Sequence, residues 1–201
     1  MDRYAALRFF TVPAVYSLCL LVMAVGTTSV TAASKCIPTR SDSLGPYYIS
    51  GMPVVDDLNR FGKPGDRLTV TGMVRSASKA SEPLAAARIE IWQTDGQGDY
   101  HPESNGKYAD YNDRELDLRG TVIADENGRF TFRTVIPGRY PPRPAHLHYR
   151  ISADSYRTLV TQHYLRRGSS KAGGRCRSAI IDNGPDGTAR FRSPDIFLRS
   201  K

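Results

Sequence analysis

Gly138-Arg-Tyr-Pro-Pro-Arg-Pro-Ala-His-Leu-His148 places a phenol, a guanidinium and two alternate imidazoles within eleven consecutive residues. If the chain is extended from 145 to 152, the two-residue period of a strand sends His146, His148 and Arg150 to one face. Ala145, Leu147, Tyr149 and Ile151 then take the other face. The apolar set faces a core, so this is one strand of a sheet packed on at least one side. The polar set faces a site. Imidazoles alternating on a strand can share one ion, and imidazole suits iron, zinc, copper or nickel.

Outward from that strand the chain keeps the same character. Alternation, or enrichment in β-branched and aromatic residues, marks strands over 67–74, 88–93, 120–124, 129–135, 145–152 and 158–164, with two more over 179–182 and 188–198. Turn signals separate them at Lys63-Pro-Gly65, Asp95-Gly96, Glu126-Asn-Gly128, Pro137-Gly138 and Asn183-Gly-Pro185. No useful helical period follows the first thirty or so residues, and there is no internal repeat. The pattern predicts an all-β fold, a single-domain antiparallel β-sandwich, with the long loop 100–118 carrying function. Trp92 is read as core.

The first stretch stands apart. After Arg3 and Arg8 the run 9–25 is mostly apolar, and small residues follow at Thr31, Ala32 and Ala33. This is the pattern of a cleaved signal peptide over 1–33 rather than a stable membrane anchor, because Thr11, Pro13 and Ser17 interrupt the apolar run. The expected mature domain is 34–201, secreted or periplasmic. Export changes the reading of the cysteines: Cys19 leaves with the leader, and the even pair Cys36 and Cys176 is expected to form a disulfide. It would tie the N-terminal end of the mature chain to the Gly-rich stretch 168–174, closing a loop of more than a hundred residues, worth up to about 5 kcal/mol in the chain-entropy picture. The net charge of +8 loses one unit with the leader. The basic residues are scattered, apart from Arg166, Arg167, Lys171, Arg175 and Arg177, and match no nucleic-acid module. They read as a solvated face that steers anions, with no nucleic-acid partner expected.

Oxygen donors can be sought beside the histidine pair. Tyr140 lies six residues before His146, and Tyr100 ends the segment that follows the 88–93 strand; Tyr108 or Tyr111 are alternatives to Tyr100. Phenolate is a hard anionic donor that a trivalent cation can hold deprotonated although free tyrosine titrates near ~10, so a tyrosine ligand points to ferric iron. Zinc hydrolase sites are built from histidine with carboxylate or cysteine, and the histidine strand has no carboxylate. His101 and His163 are read as non-ligands, His163 because it faces away from Gln162 on a strand. Pro141, Pro142 and Pro144 stiffen the loop that presents Tyr140.

Taken in order, several stretches resemble the intradiol ring-cleavage dioxygenases, the family of the catechol and protocatechuate enzymes. They are Leu44-Gly-Pro-Tyr-Tyr48, Ala87-Arg-Ile-Glu-Ile-Trp-Gln-Thr-Asp-Gly-Gln-Gly-Asp-Tyr100 and Leu118-Arg-Gly-Thr-Val-Ile-Ala-Asp-Glu-Asn-Gly-Arg-Phe130. Ile136-Pro-Gly-Arg-Tyr140, Arg143-Pro-Ala-His-Leu-His148, Thr161-Gln-His-Tyr164 and Asp195-Ile-Phe-Leu198 continue the series. The resemblance implies a mononuclear non-haem Fe(III) on a β-sandwich, held by Tyr100, Tyr140, His146 and His148, with Tyr140 the tyrosinate that leaves when substrate arrives. It implies that Arg143 stabilises negative charge on the substrate ring, that Gln162 lines the oxygen side, and that Pro46 and Tyr47 touch the substrate. A buried cation beside developing negative charge is electrostatic preorganisation in its own right. The implied partners are a catechol-type substrate and O2, and the implied product is a cis,cis-muconate from cleavage between the two hydroxylated carbons. The long helical segment through which catechol-specific members dimerise has no counterpart here, which leaves oligomeric state open. Two other classes compete: a non-catalytic secreted β-sandwich binding module, indifferent to Tyr140, and a zinc hydrolase using His146, His148 and a third ligand elsewhere.

Overall fold

In a computed structural model of the chain, residues 39–77, 81–165 and 180–201 are described. The expected leader over 1–33 and the Cys36 to Cys176 pairing lie outside the described residues. The strands are β1 (Ile49–Ser50), β2 (Arg67–Ser76), β3 (Arg88–Trp92), β4 (Gly106–Lys107), β5 (Arg119–Ile123) and β6 (Arg129–Val135). They continue with β7 (His146–Ser152), β8 (Leu159–Tyr164), β9 (Ile180–Asn183), β10 (Ala189–Arg192) and β11 (Ile196–Leu198). Two 3-10 turns, Tyr108–Asp110 and Asp113–Glu115, are the helical elements among the described residues.

Alternation in the sequence becomes alternation of faces. In β6, Phe130, Phe132 and Thr134 are buried while Arg129, Thr131 and Arg133 are exposed. One sheet runs β5-β3-β7-β8 with every ladder antiparallel. The other centres on β2, which pairs antiparallel with β6 and, in succession, parallel with β10 and β11; β9 is antiparallel to β10. Ile89, Ile91, Leu147, Tyr149 and Ile151 of the first sheet meet Leu68, Val70, Val74, Phe130, Phe132, Phe191, Ile196 and Leu198 of the second in one core. Each such buried side chain contributes about 1.5–3 kcal/mol. The fold is therefore the expected β-sandwich, with parallel pairs at β2 that the alternation did not reveal.

The stretch expected as a single strand over 188–198 is two strands. Ala189 lies opposite Leu68, but Ile196 lies opposite Val74, so one extra residue enters between them. Ser193 still donates its N–H to Thr71 O, whereas Pro194 has no N–H to give, and the ladder breaks there.

The outer face of the β5-β3-β7-β8 sheet is also covered. The segment 39–58 crosses it: Asp42 N donates to Val160 O (2.9 Å), Thr161 Oγ1 to Arg40 O (2.9 Å), and Tyr48 Oη to Glu90 Oε1 (2.9 Å). The loop after β3 covers the rest. Between that sheet face and these segments lie the side chains that carry chemistry.

Candidate metal centre

His146 and His148 project from β7 to the outer face, as the strand period requires, and both are buried. Their Nε2 atoms approach to 3.0 Å. His146 Nδ1 lies 2.6 Å from Pro144 O, and a carbonyl can only accept, so the ring proton sits on Nδ1 and the Nε2 lone pair faces its neighbour. His148 is fixed differently: its ring stacks on Trp92 at 4.8 Å, and Gly45, at a φ of 73°, lies so close that a Cβ there would sit 3.1 Å from His148 Cε1. Trp92, read from sequence as core, is thus buried on the outer face as the backing of a site residue. Burial, then the nearby His146 and Arg143, push the His148 imidazolium down to about 3; burial likewise lowers His146. Both rings are neutral at physiological pH, and their Nε2 atoms meet at the same point.

Two tyrosines close the other side. The Tyr100 ring is 5.7 Å from Tyr140 and 6.5 Å from His148, and Tyr140 is 5.7 Å from His146. Burial first, then the neighbouring Tyr140, push the Tyr100 phenol well above its ordinary value, so it ionises only when a cation arrives. The loops bearing the tyrosines are locked together. Gly138 N donates to Asp95 O (2.6 Å), Thr94 Oγ1 donates to Gly138 O (3.1 Å), and a Cβ on Gly138 would sit 2.5 Å from Gly98 N. Within the first loop the buried Asp95 carboxylate accepts from Gln97, Gly98 and Asp99 N and meets His101 Nε2 at 2.8 Å. Burial would raise that carboxyl, but the His101 contact and the backbone donors outweigh it and hold it low. Tyr140 enters on a turn in which Arg143 N donates to Tyr140 O across Pro141 and Pro142.

Arg143 Nη2 donates to Gln162 Oε1 and to Tyr164 Oη (3.0 Å); Gln162 Nε2 donates to Ser43 O (2.8 Å). Tyr164, two residues beyond Gln162 on the same face, also reaches Asp42 Oδ2 (3.2 Å). Tyr47 packs on Tyr100 at 4.5 Å, whereas Pro46 is exposed and accepts from Asn105 Nδ2 (3.1 Å). The structure therefore gathers Tyr100, Tyr140, His146, His148, Arg143, Gln162 and Tyr47, with Pro46 at the rim. It does not gather Tyr108, bonded to Asp113, or Tyr111, bonded to Asn105 O. Arg150 leaves the cluster to pair with Glu90. His163 points into the core against Ser193 (2.8 Å). The period that found Gln162 also reaches Tyr164; Asp42, Trp92 and the buried Arg119 come from elsewhere in the chain and carry no comparable signal.

A protein-family model described as Dioxygenase matches residues 44–169, well over half of the chain. The chain belongs to the intradiol ring-cleavage dioxygenase family. Hydroxyquinol 1,2-dioxygenase of Rhizobium sp. (strain MTP-10005) is 33% identical over 163 residues, covering 71% of this chain and 51% of the relative. The dioxygenase domain of a dioxygenase and carbohydrate-binding protein fusion from Streptomyces sp. SirexAA-E superposes with a TM-score of 0.64 at 26% identity, covering 82% of this chain and 100% of that one. 3-Chlorocatechol 1,2-dioxygenase of Rhodococcus opacus 1CP gives the same TM-score and identity over 81% of this chain and 73% of its own. This family member spans about half the length of the curated relatives it matches.

Proposed function

We propose that the protein is an Fe(III)-dependent intradiol dioxygenase that takes a catechol-type substrate and O2, opening the ring between the two hydroxylated carbons to a cis,cis-muconate-type product. The observation that carries this reading is the pair of neutral imidazoles whose Nε2 atoms lie 3.0 Å apart, faced by two phenols. At that meeting point His146 Nε2 offers a lone pair, His148 Nε2 offers a second when its ring proton is on Nδ1, and hard phenolate oxygen beside them favours a trivalent cation. Tyr100, Tyr140, His146 and His148 would hold the iron. Bound there, ferric iron supplies the Lewis acidity that ionises phenols and the electronic coupling that lets a catecholate ring react with O2.

The chain's own residues divide the remaining work. Tyr100 is 4% exposed and walled by Tyr47, which suits a permanent ligand. Tyr140 is half-buried on a proline turn, which suits a ligand that swings out and takes a catechol proton on its Oη. Arg143, close enough to lower both imidazoles, would offset negative charge on the ring, and Gln162 holds Arg143 in place. Trp92 and the Gly45 segment exclude water from the histidine side.

A non-catalytic binding module leaves the imidazole pair unexplained. A zinc hydrolase lacks its third ligand: among the described residues no three His, Cys, Asp or Glu side chains gather. The test is oxygen uptake by the iron-loaded protein with catechol. One O2 consumed per ring opened, with both labelled oxygen atoms in the product, supports the reading; an iron-loaded protein that opens no catechol, chlorocatechol or hydroxyquinol overturns it. The leader expected at 1–33 supports an exported enzyme, and recovery of the uncleaved chain in the cytoplasm alone would contradict that part.

A further inference from the structure

Arg119 of β5 is 1% exposed, one of the largest fully buried side chains. A buried guanidinium is normally met by a carboxylate, because an unpaired charge away from water is costly. Here every N–H is met by a backbone carbonyl instead. Nε and Nη2 donate to Tyr47 O (3.4 and 3.2 Å), Nη2 also to Pro102 O (2.6 Å), and Nη1 to His101 O and to Asp117 O (3.3 Å). The adjacent Asp117 carboxylate is engaged by the backbone N–H groups of Arg60, Phe61 and Leu118. The guanidinium lies 5.7 Å from the centroid of the Tyr100 ring, and Tyr47 packs on the same ring at 4.5 Å.

Apart from that of Asp117, two residues before Arg119 itself, these carbonyls belong to two segments far apart in sequence. His101 and Pro102 immediately follow Tyr100, and Tyr47 belongs to the segment that covers the site. We propose that Arg119 is a positioning residue that fastens the substrate-contact segment at Tyr47 to the ligand loop at Tyr100, so that the two move as one unit about the metal. The inference rests on the iron dioxygenase reading and adds to it a residue that touches neither metal nor substrate. The planar fork of five donors is what the task needs: a lysine keeps the charge, but its three donors on one nitrogen cannot span carbonyls arrayed around a guanidinium.

The test compares iron-loaded wild type with Arg119→Lys, Arg119→Met and a control, Arg60→Met. The control removes bonds to Asp113 and Leu116 O at the far end of the same loop. Three quantities are read: the tyrosinate-to-iron visible band, the iron dissociation constant, and KM against kcat for catechol. Both Arg119 variants are expected to shift the band, weaken iron retention by about 10-fold or more, and raise KM, while Arg60→Met loses stability with band and KM unchanged. A folded Arg119→Lys with wild-type band, iron affinity and KM overturns the proposal. If neither Arg119 variant folds, amide exchange on the wild type decides: iron loading must protect 47–50 together with 100–105, and protection confined to 100–105 overturns the coupling. A wild type that binds iron without a tyrosinate band overturns the dioxygenase reading itself, and Arg119's role with it.

Discussion

The distinction between the two tyrosines is the sharpest claim at the scale of single residues. Tyr100 is enclosed by Tyr47 and Arg119, while Tyr140 sits half-buried on a turn. Tyr100→Phe is expected to cost about 10- to 100-fold in iron affinity by equilibrium competition with a chelator. Tyr140→Phe should retain iron better and lose kcat more than KM, since its oxygen is assigned to proton removal from bound catechol. Equal loss of iron in both variants would contradict the asymmetry. His163 gives a second prediction. Burial lowers its imidazolium to about 4 from 6.5, so the unfolded chain takes up a proton that the folded one refuses. Its contribution is complete above pH 6.5, falls as the pH drops from 6.5 to about 4, and is level below that, a loss of about 3 kcal/mol. Urea unfolding across that window should show the decline in wild type and a shallower one in His163→Gln. At this scale the sequence was readable where periodicity applies: two-residue alternation puts His146, His148 and Gln162 on one face and turns His163 away. It is silent on Trp92 as a backing for His148, because stacking across two strands has no local pattern.

Strands were legible where one face is buried and the other wet, as in β6 and β7. The two-residue strands β1 and β4 were not, since a pair of residues has no period, and the parallel partners of β2 depend on where 189–198 returns rather than on its composition. Gly138 was legible as a turn signal, but its reason lies in packing: it presses against Gly98 and Gly96 O, bringing the two tyrosine-bearing loops together. Gly138→Ala places a methyl 2.5 Å from Gly98 N and is expected to destabilise the fold by about 1–3 kcal/mol while lowering iron affinity. Gly62→Ala, at an exposed turn with no atom within 4 Å but a φ of 70°, should lower stability without touching iron affinity. If both glycine variants kept wild-type iron binding, the locking of the loops would not be what sets the tyrosines.

For the molecule as a whole, the sandwich core and the site are separate layers that share one sheet. β7 faces the core with Leu147, Tyr149 and Ile151 and the site with His146 and His148. The crossing segment 39–58 is tied to that sheet by side chains as well as backbone, including Tyr48 to Glu90 and Gln162 to Ser43 O. The chain around Cys36 and Cys176 lies outside the described residues, and the expected bridge is checked by thiol titration of the exported, denatured protein without reductant. No free thiol is the predicted result, and two per chain would exclude the bridge. The claim on which the rest depends is that two tyrosinates and two imidazoles hold ferric iron. Its most direct measurement is the visible spectrum of the iron-loaded protein before and after anaerobic catechol: the account predicts a tyrosinate-to-Fe(III) charge-transfer band that shifts on catechol binding, and iron bound in stoichiometric amount without such a band would contradict it.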